Sequence, residues 1–215
     1  MRTLFLIVYW LLGISTLWGQ DAKAVYLFDD FEDAFIYYKD GRRFNVPLNY
    51  NLLSRQYEFI DKNDNDRKKE FSEAGMIISI EVGKRKFLPP LEGATEIIQS
   101  EPAFYVAYQG VTKKKGVSVG YGGRTDTGSA SSFTGIKGNF IVGGISNNEK
   151  TLINIDKAYQ VKIGRKMKTF YNKKKFLKLF PEKREILEKH IGENKIDFNV
   201  VHQVLDLYNY AISLK

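Results

Sequence analysis

The feature that most constrains this chain is a succession of short segments in which apolar residues recur at every second position. In "FNVPLNY" the residues Phe44, Val46, Leu48 and Tyr50 fall on one face. A strand sends alternate side chains to opposite faces, so such a segment has one face to bury and one to leave in water. Phe35, Tyr37 and Lys39 run the same way into Asp40-Gly41, a hairpin turn pair. Pro47 sits on the opposite parity and has no N–H to give a ladder, which points to an edge strand or a bulge there. "RQYEFID", "MIISIEV", "RKFLPP", "TEIIQS" and "AFYVAYQG" read as further strands, with the polar "DKNDNDRKKE" as an exposed turn. "GVSVGYGG" begins as a strand and dissolves into glycine, serine and threonine. "NFIVGGI", "KTLINI" and "AYQVKIG" follow it as strands. Many short strands with turns between them imply an antiparallel meander, closed as a barrel or packed as a sandwich.

After Lys168 the period changes. Asn172 is placed to cap a short helix whose Phe176, Leu179 and Phe180 share a face. Pro181 suits the first turn of a second helix, with Ile186, Leu187, His190 and Ile191 along one side and Gly192 to end it. Asp197 or Asn199 can cap a third helix, where Val201, Val204, Leu205, Tyr208, Ala211 and Ile212 form an apolar stripe. The expected fold is therefore α+β. It has a β-rich body over residues 20–168, with a small helical element over 169–215 packed on its end.

The first residues read as something other than fold. Arg2 gives a positive start, Leu4 to Leu12 is apolar apart from Tyr9, and Gly19 is a small residue before Gln20. This is the layout of a secretory signal peptide spanning residues 1–19. Its apolar run is short against the ~20 residues that a membrane span requires. Periplasm, outer membrane surface or medium is the expected location. The chain contains no cysteine, so it is no small disulfide scaffold, and 215 residues suffice for a core without staples.

Several motifs fail on inspection. In "GYGGRTDTGSASS", Gly123 and Gly128 have phosphate-loop spacing, but Ser129 and Ala130 stand where lysine and a hydroxyl are needed. "GVSVG" matches the nucleophile elbow around Ser118, yet glycines rather than a helix follow it. Its histidine partner would be His190 or His202, both on expected helices. Asp61, Asn63 and Asn65 imitate the start of a calcium loop, but Asp66 replaces the turn glycine and Ser72 the closing glutamate. Asp29, Asp30, Glu32 and Asp33 read as a solvated acidic segment. No catalytic, cofactor or metal residue is assigned.

What remains is charge. The chain carries a net +8, concentrated toward the C-terminus. Lys173, Lys174, Lys175, Lys178, Lys183 and Arg184 crowd the first two expected helices, against Glu182, Glu185, Glu188 and Glu193 nearby. These six basic residues are the candidate contact with an anionic surface such as a glycan or lipid. Export argues against nucleic acid, and no cofactor is expected.

"FNVPLNYNLLSRQYEFID", "YGGRTDTGSASS" and "FLKLFPEKREILEKHIGENKIDFNVVHQVLDLYNYAI" resemble a family of uncharacterised exported proteins common in Bacteroidetes. The shared motifs are a strand-turn-strand and a Phe-Pro helix pair. The family has no assigned activity, so the resemblance implies an exported protein and carries over no site residue. Taken together, the chain reads as an exported, non-enzymatic envelope or secreted module that binds a partner or an anionic glycan or lipid. A lipocalin-like barrel with a small apolar ligand is the alternative, suggested by the aromatic strands. A hydrolase using Ser118 and His190 comes third.

Overall fold

The computed structural model describes residues 25–114, 117–119, 123–125 and 150–214. The expected signal peptide, the expected strand "NFIVGGI" and most of the Gly/Ser stretch lie outside the described residues. The described residues form twelve strands: β1 (Glu32–Tyr38), β2 (Arg43–Asn51), β3 (Gln56–Asp61), β4 (Arg67–Glu70), β5 (Ile77–Val82), β6 (Arg85–Phe87), β7 (Ala94–Gln99), β8 (Phe104–Lys114), β9 (Val117–Val119), β10 (Gly123–Thr125), β11 (Lys150–Ile163) and β12 (Lys166–Phe170). Three helices follow, α1 (Lys173–Leu177), α2 (Arg184–Glu193) and α3 (Val201–Ser213).

Ten strands form one antiparallel sheet in the order β12-β11-β8-β7-β6-β5-β1-β2-β3-β4, and β9 with β10 makes a separate hairpin. The meander starts in the middle. From β1 the chain steps outward through β2 and β3 to β4. It then turns through a 3-10 segment, Ala74–Met76, and pairs β5 on the other side of β1. From there it steps outward again to β12. The sheet does not close into a barrel. Its edges are β4, "RKKE", and β12, "KMKTF". Both edges are crowded with lysine or arginine, which discourages pairing with other chains.

Two apolar cores share the sheet. The first holds Ala34, Ile36, Leu48, Tyr50, Leu52, Tyr57, Ile80 and Phe87, with Phe28 from the segment before β1. The alternation in β2 ends deep inside it: Leu48 and Tyr50 are buried, Val46 is half-buried and Phe44 is exposed. The curl of the sheet brings the β2–β3 turn over β8, where Leu52 lies against Gly110. The second core lies between the sheet and the helices, where Phe104, Val106, Tyr159, Val161 and Phe170 meet Phe176, Leu187, Val204, Leu207 and Tyr208. Tyr108 packs against both.

The helical end follows the sequence in outline and departs from it in detail. Asn172 caps α1, accepting from the Lys175 N–H at 3.0 Å. Pro181 opens a 3-10 turn that runs into α2. Gly192 stays inside α2, and the left-handed residue is Lys195, with φ 48°. The N-cap of α3 is Val200. The Asp197 carboxylate instead bonds the Asn199 N–H at 2.8 Å, fixing the approach to the helix. The buried stripe of α3 is Val204, Leu207, Tyr208 and Ala211, while Leu205 is half-buried and Ile212 is exposed. Residues three and four apart share a helix face, so Leu207 joins Val204 and Ala211 in the stripe, while Ile212 is exposed in the last turn of the helix. Ile186 likewise faces solvent, beside the buried Leu187.

Pro47 is not on an edge strand. It lies in β2 between β1 and β3, opposite Asp33. The β2–β3 ladder runs only from Asn51–Gln56 to Leu48–Phe59, so it stops one residue short of Pro47.

Candidate functional site: a basic cleft on the helical end

The cleft is built where α1 and the start of α2 meet. Phe176 and Leu177 anchor α1 by burial, which leaves its lysines on the outer side. Lys173, Lys174, Lys178 and Arg184 line a cleft of about 410 Å³ together with buried Leu177 and with Glu188. Glu188 approaches Lys173 at 3.4 Å and Arg184 at 4.0 Å. Lys174 and Lys178 have no carboxylate partner among the described residues. The side chains are solvated, so the pairs with Glu188 are weak and salt-sensitive. The cleft offers an excess of fixed cations over one carboxylate. Such a set can hold phosphate, sulfate or carboxylate groups.

The six basic residues singled out in the sequence do not all converge. Lys175 projects toward the Tyr171 ring, with its nitrogen 5.9 Å from the ring centre. Lys183 turns inward and closes the far end of α3, donating to the carbonyl oxygens of Ala211, at 3.1 Å, and Leu214. A lysine there satisfies carbonyls that the helix leaves without partners.

A polar cluster that the sequence reading missed lies where the two cores meet. Arg85 on β6 donates to both oxygens of Glu96 on β7, at 2.9 and 2.8 Å, and to the Tyr108 hydroxyl at 3.1 Å. Tyr108 in turn donates to Glu96 at 2.7 Å. The guanidinium also lies over the rings of Phe28 and Phe87. Burial, with Glu96 beside it, pushes the Tyr108 hydroxyl well above the ordinary tyrosine range. The Tyr57 hydroxyl is buried with no hydrogen-bond partner among the described residues, and burial pushes it up as well. The available signal was Arg85 in the short strand "RKF" and Glu96 within the apolar "ATEIIQ". Only the sheet register brings them together.

The rejected motifs fall as follows. Asp61 holds the Asn63 N–H at 3.0 Å and the Lys69 ammonium at 2.8 Å within the β3–β4 turn. Asn65 and Asp66 take left-handed backbone in the same turn. Asp29, Asp30, Glu32 and Asp33 are exposed. His190 stacks on Tyr210 with ring centres 4.0 Å apart. The Ser118 side chain lies outside the described residues. No group of three or more metal-binding side chains occurs among the described residues, and none of their helices is long and apolar enough to cross a membrane.

Comparison with protein-family models, curated proteins and solved structures finds no match to this chain.

Proposed function

We propose that this chain is an exported, non-enzymatic binding module that contacts an anionic glycan or lipid surface through its helical end. The observation that supports this reading is the cleft, where Lys174 and Lys178 carry no carboxylate partner among the described residues and Lys173 and Arg184 share one. A cluster of fixed cations concentrates anionic partners by a field that salt screens over about 10 Å at 0.1 M. Export rests on the N-terminal segment and on the resemblance to exported Bacteroidetes proteins. The lipocalin-like alternative loses its architecture, because the sheet is open.

Co-sedimentation tests the reading. The mature chain is mixed with phosphatidylcholine vesicles with and without phosphatidylglycerol, and in parallel with a sulfated polysaccharide resin. Binding to an anionic partner should be strongest at low salt. It should fall severalfold in Lys174→Glu/Lys178→Glu and stay unchanged in Lys183→Met, whose ammonium is committed to α3. Binding that ignores both salt and the double change, or no binding at all, would dispose of the proposal.

A further inference from the structure

Glu188 is the carboxylate in the lining of the basic cleft, and it approaches Lys173 at 3.4 Å and Arg184 at 4.0 Å. For a bare sulfate or carboxylate ligand such a group is a handicap. The two anions repel, and neither has a proton to give the other. A sugar hydroxyl does have one, since it both donates and accepts. A carboxylate with an ammonium and a guanidinium beside it offers an acceptor and donors together, the set that neighbouring hydroxyls on a ring require. Lys174 and Lys178 make the other part of the lining. They are four residues apart on α1 and its C-cap, so they share a face. Neither has a carboxylate partner among the described residues. Glu182 and Glu185 are exposed nearby but are not in the lining, and Lys175 adds to the cations around it. The surroundings therefore stay basic when both glutamates are counted.

We infer that the ligand of this cleft is an acidic sugar residue of a uronate-type glycan, with its carboxylate on Lys174 and Lys178 and a ring hydroxyl donating to Glu188. The inference rests on the anionic contact proposed above and chooses between its two partners. The cleft has the size of a small-molecule site, about 410 Å³ against the ~300–1,000 Å³ typical of such sites. A membrane surface fits less well. Helices that lie on a bilayer send apolar side chains into it. The apolar residue among those that line this cleft is Leu177, which is buried, and the exposed Ile186 and Ile212 are not in the lining.

The test compares two soluble probes at low salt, read by amide chemical shifts of the mature protein. One is the tetramer of galacturonic acid, with carboxylates and hydroxyls. The other is tricarballylate, which has three carboxylates and no hydroxyl. Both should move the Lys174 and Lys178 amides, and neither should do so in Lys174→Glu/Lys178→Glu. The two should part in Glu188→Ala, a change at an exposed position. There the galacturonate tetramer should bind about threefold more weakly, for want of its acceptor, and tricarballylate about twofold more tightly, freed of a repelling charge. Glu185→Ala, outside the lining, should move both affinities the same way. Unchanged or tighter binding of the tetramer in Glu188→Ala would overturn the inference and leave the anionic contact standing. Retention on phosphatidylglycerol vesicles with no binding of the tetramer would overturn it in favour of a membrane. Failure of both probes and of the vesicles would remove the anionic contact itself.

Discussion

Leu52 lies across Gly110 so closely that a methyl group on Gly110 would stand 2.8 Å from the Leu52 carbonyl oxygen and 2.6 Å from Leu152 Cδ1. The Leu52 oxygen is backbone and cannot swing aside. The approach is where the curl of the sheet is locked. Gly110→Ala should destabilise the protein by about 1–3 kcal/mol, the usual cost of overpacking. Gly75→Ala, with nothing near its added carbon, should change stability little. Urea unfolding of both variants checks this, and equal midpoints would remove the lock.

The helical end is held by the stripe seen in the structure. Leu207→Ala should cost about 2–5 kcal/mol, from lost burial and the cavity left behind. Leu205→Ala, at a half-buried position, should cost less, and Ile212→Ala, 40% exposed, should stay within about 0.5 kcal/mol. A single cooperative transition that shifts for sheet and helix probes together is expected for Leu207→Ala. Unchanged sheet unfolding in that variant would make the helices a separate unit.

The Arg85–Glu96–Tyr108 cluster and the Tyr57 hydroxyl near it should respond oppositely to removal of a polar group. Glu96→Ala leaves a half-buried guanidinium without its carboxylate and should cost about 2–3 kcal/mol. Tyr57→Phe deletes a buried hydroxyl that has no partner among the described residues, so it should be neutral or stabilising. Thermal unfolding of the two variants gives the signs directly. A large loss in Tyr57→Phe would mean that its hydroxyl is satisfied in solution.

Alkaline pH should weaken the fold through buried tyrosines. Burial, then the nearby Asp197 charge, raises Tyr159 to about 12. Its hydroxyl donates to the Phe198 carbonyl at 2.6 Å, which ties β11 to the approach of α3. A group raised in the folded state favours folding while it is protonated. That contribution is whole below the ordinary tyrosine value of about 10 and is lost as pH rises through about 12. Stability measured across this window should fall less steeply in Tyr159→Phe than in wild type. Identical slopes would place the alkaline weakness elsewhere.

Alternation made the strands around Phe44–Tyr50 and Phe104–Gly110 legible, and period and capping made Asn172, Pro181 and the third helix legible. The order of strands was not, because nothing local in "RKKE" or "MIISIEV" says that the chain crosses back past β1 between them. Pro47 was read for what proline cannot do in a ladder. The sequence could not show that the ladder would stop around it while β2 stayed interior. For the cleft, the lysine spacing on α1 brought Lys173, Lys174 and Lys178 together. Lys183 was out of reach, since the carbonyls it caps belong to residues far along the chain. Arg85 and Glu96 were missed for the same reason: their meeting is a matter of register between neighbouring strands.

The central position of β1 has a consequence for how the chain comes together from its N-terminal side. The first four strands can pair with one another once Glu70 is free, since within that set each contacts only its neighbour in sequence. At that moment β1 is a naked margin whose Ala34 and Ile36 belong to a core with no second half. Ile77–Val82 must arrive to cover it. Placing the turn at Ala74–Met76 so soon after β4 puts the covering strand only a few residues away from the border that it closes.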